Sequence, residues 1–374
     1  MGRKRSASKA QIGEEPVHSN DEDEDEGIQE TPKASSRGLK KKAPSLSHSS
    51  TSGVSGTSSP IKQIRFAAIQ QTGFTPCPFE ENIDRLPPSL VDLRQQLVDI
   101  GYGVSLIPQT LQKELKTVPS FAFFNTAEKT SKWRVPTPAF AQGIVRSATK
   151  CQSHHHGESS WNMEVHRRVL DFAFRDSEDV LVGDYRYCTG AQIIQEYKPL
   201  GAPSKCVDFC LCIEPPQSSI EYETIRNLVS TRPGLSINHT DWGDLCINPI
   251  ALSIETKRQD DWNKALLQVG TWHSAQWRAL PTTLRAIKFL TGIIVQGHSW
   301  YFLASTLEDG KSVLYHEELI GGTKNIFEVY KLLAGLQCLG SWTKEKYWPA
   351  FRSDVLKLPA IEQQMQSEKG IELL

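Results

Sequence analysis

The spacing of apolar positions changes several times along this chain, and each change predicts an element. From Ser89 to Ile100 apolar residues recur at helical intervals behind Pro87-Pro88, with Gly101 following, which predicts a helix with a proline start and a glycine stop. Trp161, Val165, Val169 and Phe172 form the stripe of a second helix, running from Trp161 to about Phe174 with Ser159 or Ser160 as its cap. A strand is expected from Ala191 to Glu196. The next begins at Val207, where Val207, Phe209, Leu211 and Ile213 alternate onto one face and leave Asp208 on the other with Cys210 and Cys212. A helix from Glu221 to Val229 lies in the long loop that follows. Ile250, Leu252 and Ile254 then share one strand face, while Glu255 and Lys257 project from the opposite one. Asp260 or Asp261 caps a helix from Trp262 to about Ala279, and Ile293 to Leu303 reads as a hairpin turning at Gln296 to Ser299. A last helix covers Ile326 to Gly335. Helix, three strands, helix, two strands is the order of an α/β sandwich.

Composition divides the chain. Residues 1–62 hold almost no aromatic or aliphatic side chains and carry an acidic block from Asp21 to Glu26, so they read as a disordered tail. Its clusters Arg3-Lys4-Arg5 and Lys40-Lys41-Lys42 are candidate nuclear-import signals, or simply solvating charge. Residues 63–157 are expected to form a helical or irregular extension packed on a core at 158–352, with a C-terminal tail at 353–374. A formal net charge of −1 excludes a protein coated in positive potential, so any nucleic-acid partner meets a local basic patch. Eight cysteines without framework spacing, and no apolar leader, suggest reduced thiols in an intracellular protein. Cys206, Cys210 and Cys212 lack the paired spacing of a zinc site, and no apolar run reaches the roughly 20 residues of a membrane span.

A half-buried strand seldom carries a carboxylate and an ammonium together unless they have a partner or a task. Asp208 on one strand with Glu255-Thr256-Lys257 on another is a minimal set for metal-dependent phosphodiester hydrolysis. Asp208 and Glu255 would hold a hard divalent cation, the Thr256 carbonyl would add a third oxygen, and Lys257 would act beside them. Burial and the cation would lower the pKa of Lys257, whereas the carboxylates would raise it. The competing reading is an ordinary Glu–Lys pair on a solvent-facing strand.

The neighbours of these residues decide between the two. Glu158-Ser159-Ser160-Trp161-Asn162-Met163-Glu164-Val165-His166, Lys205-Cys206-Val207-Asp208-Phe209-Cys210, Asn248 to Arg258, and Gln268 to Trp277 follow in an order and spacing that resemble the PD-(D/E)XK nuclease-like domain family widespread in fungal proteins. The similarity runs from about Leu86 to Arg352. It implies the restriction-endonuclease-like α/β fold, an αβββαβ core with a central mixed sheet, using Mg²⁺ or Mn²⁺ on nucleic acid, with DNA the expected substrate. It further implies Glu164 as the acid of the first core helix, supporting the metal, and Gln268 near the metal or the scissile phosphate. Val207 stands where the family motif has proline, and Trp272 where exonuclease-type members have tyrosine. The alternative is an inactive member serving as a binding or scaffold module.

Weaker candidates remain. His239 in a polar loop, Arg258 and Trp272 are possible substrate contacts; a turn role for His239 and core burial for Trp272 compete. His154-His155-His156 reads as a polar loop rather than a metal site. His166 is assigned to packing.

Overall fold

The computed structural model describes residues 59–81, 83–127, 131–175, 183–202, 207–258 and 261–359. The basic clusters and acidic block of the tail, Cys206 and Asp260 lie outside them. Helix α1 (Pro60–Ile69) leads into strand β1 (Phe74–Pro78), and α2 (Pro88–Tyr102) carries Leu90, Leu93, Leu97 and Ile100 as its buried stripe. The helix continues past Gly101 and stops at Gly103, whose φ of 74° supplies the left-handed cap. A two-residue pair, β2 (Ile107–Pro108) with β3 (Phe123–Phe124), precedes α3 (Pro138–Ser153).

The first core helix is one rod over residues 158–175. It consists of α4 (Glu158–Trp161), a π-helical turn (Asn162–His166), α5 (Arg167–Leu170) and a second π turn (Asp171–Arg175). Strands β4 (Tyr185–Tyr187) and β5 (Phe209–Cys212) follow, then α6 (Ile220–Val229), β6 (Ile250–Lys257) and α7 (Trp262–Ala279). Strands β7 (Leu290–Gln296), β8 (Ser299–Glu308) and β9 (Lys311–Gly322) complete the sheet before α8 (Ile326–Trp342) and α9 (Trp348–Asp354).

The seven strands run β1-β9-β8-β7-β6-β5-β4, parallel at β1/β9 and β6/β7 and antiparallel elsewhere. Rod, β4, β5, β6, α7, β7 gives the expected αβββαβ order in a mixed sheet. One sheet face, with Phe209, Leu211, Ile254 and Val295, meets the rod's Val165 and Leu170 together with α8; the other, with Cys210, Cys212 and Ile294, meets Ala265, Val269 and Trp272 of α7. Both faces of β6 are therefore covered, and it is buried from Ile250 to Thr256 rather than half-buried as its alternation suggests.

Two expectations change. The stretch from Ala191 to Glu196 is a loop touching Thr240 through a single bridge at Ile193, and the first core strand is Tyr185–Tyr187. Strands β1 and β9 were not expected: β1 contains Pro76 and Pro78 but sits at the sheet edge, where a missing N–H costs no ladder bond. The hairpin falls where the pattern placed it, with Gly297 at φ 56° in the turn.

Candidate metal centre

Three carboxylates converge at the end of β6. Asp208 immediately precedes β5, where its N–H donates to Ile254 O across the antiparallel pair at 3.0 Å. Glu255 projects from β6, and Glu158 opens the rod. One oxygen from each of Glu158, Asp208 and Glu255 lies within 4.8 Å of the others. Glu255 is wholly enclosed and its Oε2 has no hydrogen-bond partner among the described residues. A buried, unsatisfied carboxylate oxygen aimed at two other carboxylates is a poor structural element and a good cation ligand.

Lys257 closes the cluster. Its Nζ lies 2.6 Å from Glu255 Oε1, 3.0 Å from Glu158 Oε1 and 2.9 Å from the Thr256 carbonyl, so that carbonyl does face the site. Burial raises the pKa of Glu255 well above the usual carboxylate range, and the neighbouring Asp208 charge adds to it. Asp208 and Glu158 also move upward through burial, offset in part by Thr256 hydrogen bonds at Asp208 and by the Lys257 ammonium at Glu158. Burial pulls Lys257 down, but Glu255 and Glu158 outweigh it and hold the amine protonated well above its ordinary value. The carboxylates win that contest.

A buried polar chain holds Asp208 in place. Its Oδ2 accepts from Thr256 N–H at 2.8 Å and lies 2.7 Å from Thr256 Oγ1. That hydroxyl is also 2.9 Å from Asn162 Oδ1, which in turn lies 2.8 Å from His166 Nδ1. One hydroxyl proton cannot serve two acceptors, so the Asn162 amide orientation and the His166 tautomer are fixed together. The chain starts in the π turn, which carries both Asn162 and His166.

The structure brings Asp208, Glu255, Lys257 and the Thr256 carbonyl together, but it does not bring Glu164 to them. The acid that the rod contributes is Glu158, while Glu164 is exposed. Glu158 opens the rod beside the end of β6, where its Oε1 lies 3.0 Å from Lys257 Nζ, whereas Glu164 sits in the π turn with its side chain exposed. Gln268 is half-buried on α7.

Two weaker candidates are withdrawn into the core. Trp272 and His239 are both 0% exposed and pack edge to face at 4.2 Å, so neither offers surface to a substrate. Burial lowers the pKa of His239 to about 3, which keeps its ring neutral. Arg258 is exposed just past β6, and among the described residues it has no ion pair.

The family model of the PD-(D/E)XK nuclease superfamily matches residues 109–348, and the chain belongs to that family. No curated protein and no solved structure matches it. No helix among the described residues is long and apolar enough to cross a membrane.

Proposed function

We propose that this protein hydrolyses phosphodiester bonds of nucleic acid, with DNA as substrate, using Mg²⁺ or Mn²⁺ held by Glu158, Asp208, Glu255 and the Thr256 carbonyl. The observation that carries this reading is the convergence of three carboxylates within 4.8 Å around a buried, unpartnered Glu255 oxygen. An all-oxygen donor set of this kind suits a hard divalent cation. Such a cation supplies an activated water and neutralises charge on the phosphoryl oxygens. Thr256 fixes the direction of Asp208. Lys257, held protonated, is an electrostatic group for charge developing on phosphate oxygens rather than a base in this state. Metal binding requires its ammonium to yield the Glu158, Glu255 and Thr256 oxygens that it now contacts.

The test is phosphodiesterase activity on DNA with Mg²⁺ or Mn²⁺, comparing wild type with Asp208→Ala and Lys257→Ala. The expected loss is about a thousandfold in each. Cleavage unchanged in both variants would sink the assignment.

One observation favours a second reading. Lys257 Nζ already sits within 3.0 Å of three oxygens that a cation would use, so the ammonium can serve as a built-in counter-ion in a non-catalytic binding module. Under that reading calorimetry finds no Mn²⁺ binding that Glu255→Ala abolishes.

A further inference from the structure

Beside the carboxylate cluster lies a second recess, a cavity of about 210 Å³ whose wall includes Gln152, His155, His156, Arg258 and Asp261. Cys151, Trp161 and Gly297 complete it. The two sites share elements: the rod gives Glu158 to the cluster and Trp161, one turn later, to the recess, while β6 gives Lys257 to one and leads into Arg258 at the other. Gly297 N–H donates to Lys257 O at 2.9 Å, which ties the β7–β8 turn to the end of β6. Arg258 is near enough to Glu158 to favour its ionised form.

The histidine wall is built with some effort. Helix α3 ends in paired bonds, His156 N–H to Cys151 O at 2.9 Å and His155 N–H to Gln152 O at 3.2 Å, which form a Schellman cap. That cap puts His155 at φ 51°, a position where glycine is usual and where a side chain costs about 1–2 kcal/mol. His156 Nδ1 is enclosed without a hydrogen-bond partner among the described residues. A strained residue and an unsatisfied ring nitrogen in one turn are better explained by a ligand than by folding. Arg258 supplies an exposed guanidinium with no ion pair among the described residues, and the one carboxylate of the wall, Asp261, is paired with Lys264 at 2.9 Å.

We infer that this recess binds the nucleotide next to the scissile phosphodiester, with Arg258 on its phosphate and His155, His156 and Gln152 as further hydrogen-bonding groups. The inference rests on the proposed nuclease reading and assigns His155 and His156 of the turn after α3 as substrate-contacting. Planar, two-pronged donation makes Arg258 the phosphate anchor, a role lysine fills only as a point charge. The histidine rings add hydrogen-bonding nitrogens to the wall.

The experiment is anisotropy titration of a labelled single-stranded oligonucleotide with the full chain in Ca²⁺, repeated over a series of salt concentrations. Each phosphate neutralised contributes about 0.7 to the slope of log K against log salt for a single strand. Arg258→Ala should weaken binding and flatten the slope by about 0.7. Arg258→Lys should keep the slope and lose part of the affinity, and His155→Ala should lose affinity with the slope intact. Mn²⁺ affinity in Arg258→Ala should be no weaker than wild type, because the charge removed is positive. Affinity and slope both unchanged in Arg258→Ala, with Mn²⁺ still bound, overturn the recess and leave the metal centre standing. Wild type that binds no Mn²⁺ but shows the Arg258-dependent slope overturns the nuclease reading and keeps the recess.

Discussion

The carboxylate cluster and the His239–Trp272 pair stand on opposite sides of one question: what a buried polar group is for. Each places polar atoms out of water. In the cluster, Glu255 and Asp208 lie against an ammonium: burial raises both carboxyls and so penalises their charged forms, while the neighbouring carboxylates hold Lys257 charged. In the pair, a neutral imidazole with no hydrogen bond to either nitrogen among the described residues is packed against an indole. Burial alone therefore does not mark a site. Converging charges that burial penalises, and that nothing in the fold requires, do mark one.

Mutation should separate the two regions most clearly. Trp272→Ala should cost about 3–5 kcal/mol of stability through cavity formation, seen as a lower denaturation midpoint, with Mn²⁺ affinity unchanged in the folded fraction. Lys257→Ala removes the partner of an enclosed Glu255 and should cost a similar amount, about 3–5 kcal/mol, while lowering the proposed activity about a thousandfold. If Trp272→Ala also abolished metal binding, the two regions would be one site.

Acid should act on them with opposite signs. His239 and the neighbouring His273 are each lowered to about 3 by burial, so between about pH 6.5 and pH 3 the unfolded chain binds more protons there than the folded one. Stability contributed by their neutral forms is full above pH 6.5 and falls as pH drops, by about 2 kcal/mol per histidine at pH 5. Glu255, Asp208 and Glu158 are raised, so the folded chain holds protons the unfolded one releases, and acidification through that range stabilises. Denaturant titrations against pH should show a shallower acid limb in His239→Leu and a steeper one in Glu255→Gln. The same direction of change in both variants would break the comparison.

A smaller effect tests the polar chain. Thr256→Val removes the hydroxyl between Asp208 and Asn162 but keeps the backbone N–H bond, and should weaken Mn²⁺ binding by about 10-fold to 100-fold with at most about 1–3 kcal/mol of stability lost. Mn²⁺ calorimetry on the folded variant checks it.

The legible parts of the molecule are those that local pattern controls. Helix α7 begins at Trp262 and ends at Ala279 as its periodicity requires, and the β7–β8 hairpin turns where Gly297 allows. Asp208, Glu255 and Lys257 were legible because strand alternation sets their face. Strand β1 was not, because its pairing with β9 spans more than 230 residues and its two prolines argue locally against a strand. The choice between Glu158 and Glu164 was not legible, because a π turn at Asn162–His166 breaks the regular helical period between them. The enclosure of His239 and Trp272 depends on which loop covers which helix, and no local period carries that information.

Glu158 against Glu164 gives the sharpest single discrimination. Calorimetric titration with Mn²⁺ of wild type, Glu158→Gln and Glu164→Gln should show one bound ion in wild type and in Glu164→Gln, and at least about tenfold weaker binding in Glu158→Gln. Binding lost in Glu164→Gln but kept in Glu158→Gln, or absent from wild type, would contradict a metal centre built on Glu158, Asp208 and Glu255.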